Sequence, residues 1–275
     1  MDSTPRRTAD GQAQAPVTQP FGAEAFEPAE GTVIRWLGMA SFLLNCRGTT
    51  LMLDPLTHGF DMPVMAEPPI AAADVPRLDA VIVTHSDNDH FSVPTCTALG
   101  PVTQAFHSTH WVAELMTRNG LEAQGHDIGA GFEVGPMHIT LTPADHAWQN
   151  AYPGTDEHFH QPEDACGFWI ETPDGTIWAT GDSRLIEDHH LTRPRPDAIL
   201  FDFSDSEWHF TFEGAVRIAD AYPDVPLVLN HWGSVDAADF PPFNGDPARL
   251  AEAVVNPERI VVLAPGEPYQ LQRLA

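Results

Sequence analysis

Two histidines and two aspartates fall within six residues of the segment THSDNDHF, which spans positions 84–91. They are His85, Asp87, Asp89 and His90, and they follow an apolar run typical of a strand buried on both faces. Imidazole and carboxylate side chains together suit zinc, manganese or iron. Because one ion rarely needs four ligands from six residues, the spacing predicts two ions that share one loop. The alternative, a solvated polar turn, is disfavoured by this density of such side chains directly after an apolar strand.

Three further candidate ligands follow predicted strands later in the chain. His146 comes after the strand at 139–142, Asp182 after the strand at 177–180, and His231 after the strand at 227–229. Each is a weak signal alone, since an aspartate at a strand end is often a helix cap and a histidine beside tryptophan often packs in a core. Their shared placement at strand ends is what favours a common site.

The elements that must position these residues are mainly strands in the first part of the chain and a mixture of strands and helices in the later part. Hydrophobic periodicity and turn signals predict strands at 33–37, 41–44, 49–53, 79–84, 138–142, 166–171, 176–180, 198–201, 227–229 and 260–263. Capping and amphipathic patterns predict helices at 109–119, 213–222 and 247–255. Meander strands followed by αβ units predict a layered α/β fold.

The length fits one large globular domain or two small ones, and the composition argues against nucleic acid as a partner. The chain has 275 residues, 43% of them hydrophobic, with 13 basic against 39 acidic side chains and a net charge of −26. A phosphate-binding surface needs clustered basic residues, which this background does not readily supply. No apolar run approaches the length of a membrane-spanning helix.

Residues 1–29 are rich in Pro, Ala, Gln, Thr and Glu and lack a hydrophobic period, which predicts a flexible leader before one domain at 30–275. Arg6 and Arg7 have no apolar segment behind them, so no secretory signal is expected. The three widely spaced cysteines are typical of buried thiols in a reducing compartment. We therefore expect a cytoplasmic protein, with membranes excluded as partners and a homo-oligomer left open.

With these motifs in place, the sequence from about Thr32 onward resembles the metallo-β-lactamase superfamily. The superfamily signature is His-x-His-x-Asp-His, then a later His, a bridging Asp and a final His. The matching residues here are His85, Asp87, Asp89, His90, His146, Asp182 and His231. The flanking stretches WLGMASF, LDP, TGDS, HWG and APGE look like the branch that contains L-ascorbate-6-phosphate lactonase and N-acylphosphatidylethanolamine-hydrolysing phospholipase D.

Two positions depart from that pattern. Asp87 stands where the family usually has its second histidine, and flavodiiron proteins, which hold iron, carry Glu there. A carboxylate makes this site harder, which favours manganese or iron somewhat over zinc or weakens zinc binding. Met39 stands where the branch often has His, which removes a donor that could support a ligand.

The resemblance implies an α/β fold, an αββα metallo-β-lactamase-like sandwich in a single domain, with two divalent metal ions at one edge. Zinc is the first assignment, with manganese and iron as alternatives. The implied ligands are His85, Asp87 and His146 for one ion, Asp89, His90 and His231 for the other, and Asp182 as the bridge. Asp89 and Asp182 are the expected catalytic residues, and a hydroxide held between the ions would attack an electrophilic carbon or phosphorus.

Residues around this centre are assigned more loosely. Asp54 follows its strand and is expected to accept a hydrogen bond from a ligand imidazole, although a capping role before Pro55 is an equal alternative. The residues expected to contact substrate are Trp148, Asn150, Trp232 and His209. Aromatic side chains here could instead cover the sandwich edge. His158, His160, His189 and His190 are expected at the surface.

Three functions remain open at this point. The first is a dinuclear metallohydrolase of a small molecule, such as a lactone, an amide, a phosphodiester or an activated aryl halide. The second is an iron-dependent redox enzyme of the same fold, which Asp87 suggests. The third is a degenerate metal-binding protein with weak catalysis.

Overall fold

The computed structural model of the protein describes residues 6–152, 154–155 and 157–275. Its strands are β1 (Arg6–Arg7), β2 (Ala13–Gln14), β3 (Thr32–Gly38), β4 (Ser41–Cys46), β5 (Thr49–Leu53), β6 (Ala80–Ile82), β7 (Phe106–Thr109), β8 (Ala123–His126), β9 (Gly131–Val134), β10 (Met137–Pro143), β11 (Cys166–Thr172), β12 (Gly175–Ala179), β13 (Ala198–Asp202), β14 (Leu227–Asn230), β15 (Ile260–Val261) and β16 (Pro268–Gln270). Its α-helices are α1 (Val93–Leu99), α2 (His110–Arg118), α3 (Glu187–His190), α4 (Thr211–Ala221) and α5 (Pro247–Ala253).

Fourteen of these strands form two seven-stranded sheets with the same internal plan. The first sheet has the order β16-β3-β4-β5-β6-β7-β8 and the second the order β15-β14-β13-β12-β11-β10-β9. In the first, β3 to β5 are antiparallel and β5 to β8 parallel; in the second, β9 to β12 are antiparallel and β12 to β15 parallel. Parallel neighbours end at the same edge of their sheet, so each half brings several loops to one place.

Alternation of side chains along the strands of the first sheet supplies two hydrophobic cores. On β4, Phe42 and Leu44 join the larger core, which also contains side chains of the second sheet, whereas Leu43 between them joins a separate core. Successive strand residues point to opposite faces, so one strand can serve both layers. This first sheet is therefore buried on both sides.

Helices cover the outer faces of the sheets. Val112 and Met116 of α2 belong to the separate core, and Ile218 of α4 belongs to the larger one. Thr109 caps α2 as predicted, because its side chain accepts a hydrogen bond from the Val112 amide. The result is the predicted αββα sandwich. Among the described residues, none of the helices has the length and apolar character needed to cross a bilayer.

The N-terminal segment, predicted as a flexible leader, lies against the domain from residue 6 onward. β1 and β2 pair with each other, and the Ala15 amide donates to the Gly233 carbonyl over 2.9 Å. The Gln12 side chain donates to the Val235 carbonyl over 2.7 Å, and Phe26 is buried. Small and apolar side chains in this otherwise polar stretch thus extend the packed part of the chain beyond the expected boundary at residue 30.

Candidate metal centre

All seven predicted metal ligands lie at the carboxyl ends of strands, and the structure brings them to one edge of the sandwich. The strand ends are those of β6 for positions 85–90, β10 for His146, β12 for Asp182 and β14 for His231. Their nitrogen and oxygen atoms form overlapping groups of three, and within each group the ligand atoms lie within 4.8 Å of one another. One member was not among the predicted ligands: His209, which groups with His146 and Asp182.

The first group consists of His85, Asp87 and His146. Asp87 Oδ2 lies 3.4 Å from His85 Nε2 and 3.2 Å from His146 Nε2. The same carboxylate accepts hydrogen bonds from Trp148 Nε1 over 2.7 Å and from Gln149 Nε2 over 2.5 Å. Asp87 is therefore held in place by neighbours that only an acceptor at this position can satisfy.

The second group consists of Asp89, His90 and His231, and Asp182 lies beside it. Asp89 Oδ2 is 3.2 Å from His231 Nε2 and 3.5 Å from His90 Nε2. Asp182 Oδ2 is 3.1 Å from His90 Nε2, 3.3 Å from His231 Nε2 and 3.8 Å from His209 Nε2. Asp182 also groups with His85, so its carboxylate faces ligands from both sides of the centre.

Four of the five imidazoles are oriented by an acceptor on the far side of the ring. In each, Nδ1 lies within hydrogen-bond distance of an acceptor that points away from the centre, so Nε2 faces inward and can bind a metal ion once it is deprotonated. The donor–acceptor pairs are His90 with Asp54 Oδ2 (2.8 Å), His146 with the Trp208 carbonyl (2.9 Å), His209 with Asp202 Oδ2 (2.6 Å) and His231 with the Pro242 carbonyl (2.9 Å).

Asp54 supports the loop that carries positions 85–90. Its Oδ2 accepts from His90 Nδ1 and from the Thr84 hydroxyl, and its Oδ1 accepts from the Thr84 amide, all over 2.7–2.8 Å. The Thr84 hydroxyl in turn lies 3.0 Å from His85 Nδ1. One buried carboxylate thereby fixes the backbone and two imidazoles of the ligand loop.

The pKa shifts in this cluster show that its carboxylates need nearby positive charge. Burial alone would raise the pKa of Asp87, but His85 and its neighbours hold it well below its usual range. Burial would likewise raise the pKa of Asp182, yet the surrounding imidazoles, His231 foremost, hold it well below its usual range. Burial would lower the pKa of His90 and His231, but Asp182 and the other carboxylates raise the first well above its usual value and the second to about 9. The carboxylates thus favour positive charge beside them, which protonated imidazoles supply when no metal ion is bound.

The donor set fits divalent cations. Imidazole nitrogen and carboxylate oxygen are ligands of zinc, manganese and iron alike. His85 Nε2 is buried and has no hydrogen-bond partner among the described residues, although it is 3.4 Å from Asp87 Oδ2. A buried nitrogen without a hydrogen bond is costly unless something else engages it, as a metal ion would.

Of the four residues expected to contact substrate, two line a cavity above the centre and two lie elsewhere in the structure. Trp148 and His209 line a cavity of about 1080 Å³ above the centre. Trp232 is 1% exposed and stacks on Trp36 with ring centroids 6.0 Å apart, because the chain turns after His231 and sends the ring into the core. Asn150 hydrogen-bonds through both ends of its amide to the backbone of His160 and braces the loop.

Sequence reasoning missed Gln149 and Asp202 as supports, and His209 as a member of the ligand cluster. Gln149 follows the tryptophan after His146, and no spacing rule marks it. Asp202 and His209 lie at the end of β13, a strand that the sequence does predict. Placement at a further strand end was the available signal, but the six residues between Asp202 and His209 hide the pairing.

Comparison with known proteins agrees with this geometry. The family described as beta-lactamase superfamily domain matches residues 49–232. A UPF0173 metal-dependent hydrolase of Methanopyrus kandleri is 26% identical over 245 residues, which cover 86% of this chain and 99% of the relative.

Two solved structures share the fold at lower identity. An isothiocyanate hydrolase from Delia radicum gut bacteria superposes with a TM-score of 0.70 at 19% identity, covering 86% of this chain and 98% of its own. CmlA, a diiron β-hydroxylase from Streptomyces venezuelae, has a TM-score of 0.65 at 14% identity and covers 88% of this chain and 55% of its own.

An αββα sandwich with histidines and aspartates gathered at one edge defines a protein of the metallo-β-lactamase class. This chain belongs to that superfamily, since the family match spans more than half of its length. The narrower resemblance to the lactonase and phospholipase D branch stays a prediction.

Proposed function

We propose that the protein is a metal-dependent hydrolase that holds two divalent cations and acts on a small molecule. The observation that carries this proposal is the convergence of eight nitrogen- and oxygen-bearing side chains, His209 included, six of which line one large cavity. The names of the relatives, which are metal-dependent hydrolases, support it.

The first cation would be held by His85, Asp87 and His146. The second would be held by Asp89, His90 and His231, with Asp182 facing both. Two cations in such a site supply Lewis-acid activation of water and neutralise negative charge that develops on the substrate. Three ligand carboxylates offset most of the charge of the two dications, which suits a buried centre.

Two side chains are placed to move protons. His209 is fixed by Asp202 at Nδ1, so its Nε2 faces the cavity and, when protonated, can donate to the leaving group. Asp89 lines the cavity floor, and we assign it as the acceptor of the proton from the attacking water. In this assignment the water oxygen forms the new bond to the electrophilic atom, the bond to the leaving group breaks, and the leaving group departs with the proton from His209.

We assign zinc first, because imidazole donors outnumber carboxylates. Asp87 moves the first site toward manganese or iron. Elemental analysis of protein produced without metal supplements tests this assignment directly.

The test of the proposed activity is a panel of lactones, amides, phosphodiesters and activated aryl halides with the metal-loaded protein. We expect turnover of at least one class, its loss on chelation, and its recovery when zinc or manganese is added. Asp182→Ala should lose both metal and turnover, whereas the exposed Asp220→Asn on α4 should keep both. Turnover that survives complete metal removal contradicts the proposal.

An iron-dependent redox enzyme is the second candidate, and Asp87 is the observation that favours it. One structural neighbour, CmlA, is a diiron β-hydroxylase, which is consistent with iron chemistry on this fold. Protein that contains zinc alone and consumes no oxygen would rule this candidate out.

A further inference from the structure

The cavity above the metal centre has walls made largely of aromatic rings. The rings that line it belong to Phe60, Trp148, Tyr152, Trp208, Phe240 and Phe243. Tyr152 and Phe240 are about half exposed, so the aromatic lining extends from the metal centre to the mouth. Faces of such rings attract apolar groups and organic cations.

The charged groups of the cavity are of one sign. Among the described residues that line it, every charged side chain apart from histidine is a carboxylate, and no arginine is present. Asp61 and Glu207 lie outside the metal cluster, and both residues are exposed. In the described part of the chain, neither forms an ion pair within 4 Å, so their charge remains available to a ligand.

Two arginines that contact residues lining the cavity are already engaged. Arg184 lies 4.9 Å from the Trp208 ring centroid, but its Nε and Nη2 both donate to Asp145, over 3.0 and 2.9 Å. Arg249 pairs with Asp205 over 3.0 Å and lies over the ring of Phe212. An anionic group distant from the metals would therefore meet carboxylates and find no cation to pair with.

We propose, building on the proposed hydrolase function, that this cavity selects substrates with an aromatic or otherwise apolar body and a cationic amino or quaternary ammonium group. Asp61 and Glu207 supply the attracting charge, and the aromatic walls contact the cation and the apolar body. Two bound dications would be largely balanced by their own carboxylates, so selection would act on the part of the substrate remote from the bond that is cleaved. Phosphodiesters become the least suited of the four substrate classes.

Binding of three matched probes tests this selection without any need for turnover. The probes are benzyltrimethylammonium, benzyl alcohol and benzylphosphonate, titrated at constant ionic strength against the fluorescence of Trp148 and Trp208, which line the cavity. We expect the cation to bind at least about tenfold more tightly than the anion, the size that one or two cation–π and charge contacts provide. Asp61→Asn combined with Glu207→Gln should reduce that ratio to about threefold or less, while the exposed Glu122→Gln should leave it unchanged.

The titrations are run on both zinc-loaded and chelated protein. This separates the proposed cation selectivity from the proposed hydrolase function on which it rests. Preference for the cation in both forms supports the inference even if the panel of substrates shows no hydrolysis. Equal or tighter binding of the anion to the chelated protein overturns it. So does an unchanged ratio in the double variant, or a cation that does not bind at all.

Discussion

Position 87 has a carboxylate where the family usually has an imidazole, and the surrounding side chains are matched to it. Trp148 and Gln149 both donate to Asp87, and His146 Nε2 lies 3.2 Å from it. Restoring the family histidine should therefore fail to improve the site. Asp87→His leaves at least one of these two donors without an acceptor, because a neutral imidazole has a single acceptor nitrogen, at a cost of about 1–3 kcal/mol in unfolding free energy.

The measurements for this variant are denaturant unfolding and metal content per chain. We expect lower stability and less than two metals bound, and the exposed Asp220→His serves as the control. Unchanged stability with fuller metal loading would show instead that Asp87 marks a degenerate site.

His209 and Asp202 form a pair whose effect should appear in catalysis rather than in metal content. His209→Gln keeps a polar group at the position but cannot donate a proton as an acid. We expect turnover to fall by about 100-fold, the usual contribution of a general acid, with metal content retained. Substrates with very good leaving groups, which need no proton, should be affected least. An equal loss for all substrates would indicate a role in binding metal.

At the scale of elements, the β1–β2 pair fixes the loop that carries His231. Gly233 has a φ of +63°, and a Cβ built there would lie 2.6 Å from the Ala15 backbone nitrogen. Gly233→Ala should lower the unfolding free energy by about 1–3 kcal/mol, since strain and collision both act. Gly129→Ala is the matched control, because its φ of +87° imposes strain but nothing lies within 4 Å.

Removal of residues 1–16 separates the backbone strain at Gly233 from the collision with Ala15. Without Ala15 the collision disappears, so Gly233→Ala should cost no more than Gly129→Ala in the shortened protein. If the two variants still differ by as much as in the full chain, the N-terminal pair does not hold this loop.

The sequence predicts the elements with strong local signals and misses those whose signals come from tertiary packing. Helix α2 is predicted because Thr109 supplies a cap and Trp111 begins an apolar face, and the structure agrees within a residue or two. Helix α1 is missed because its seven residues are too short for a clear period, although Ser92 caps it. His190, expected at the surface, is buried and stacks on Trp178.

The same division applies to the site. Residues at the ends of apolar strands are predictable because strand direction alone places them. Trp232 and Asn150 are not, because a single turn decides whether a neighbouring side chain faces cavity, core or loop. The support from Trp148 and Gln149 to Asp87 depends on side-chain reach, which spacing in the chain does not encode.

For the whole molecule, two buried histidines predict loss of stability in acid. Burial lowers the pKa of His107 to about 4 and that of His190 to about 3, with neighbouring histidines adding to both shifts. Both are neutral in the folded protein at pH values where the unfolded chain, with a pKa near 6.5, takes up protons. The stability contributed by these two neutral histidines is therefore complete above about pH 6.5 and falls as the pH drops toward 3, by up to about 1.4 kcal/mol per group and pH unit.

Unfolding of the chelated protein from pH 7 to pH 3.5 measures this loss without interference from metal release. His190→Leu, which keeps contact with Trp178, should flatten the pH dependence, while His138→Leu at a half-exposed position should not. An identical slope in the His190 variant would assign the acid sensitivity elsewhere.

The proposed ligands come from both halves of the chain in nearly equal number. His85, Asp87, Asp89 and His90 follow a strand of the first sheet, and His146, Asp182 and His231 follow strands of the second. Bound ions would thus link the two similar halves of the chain, neither of which carries a complete set of ligands. Before the ions bind, carboxylates from the two halves face each other where the halves meet. Ion binding would therefore require that the two halves have already docked.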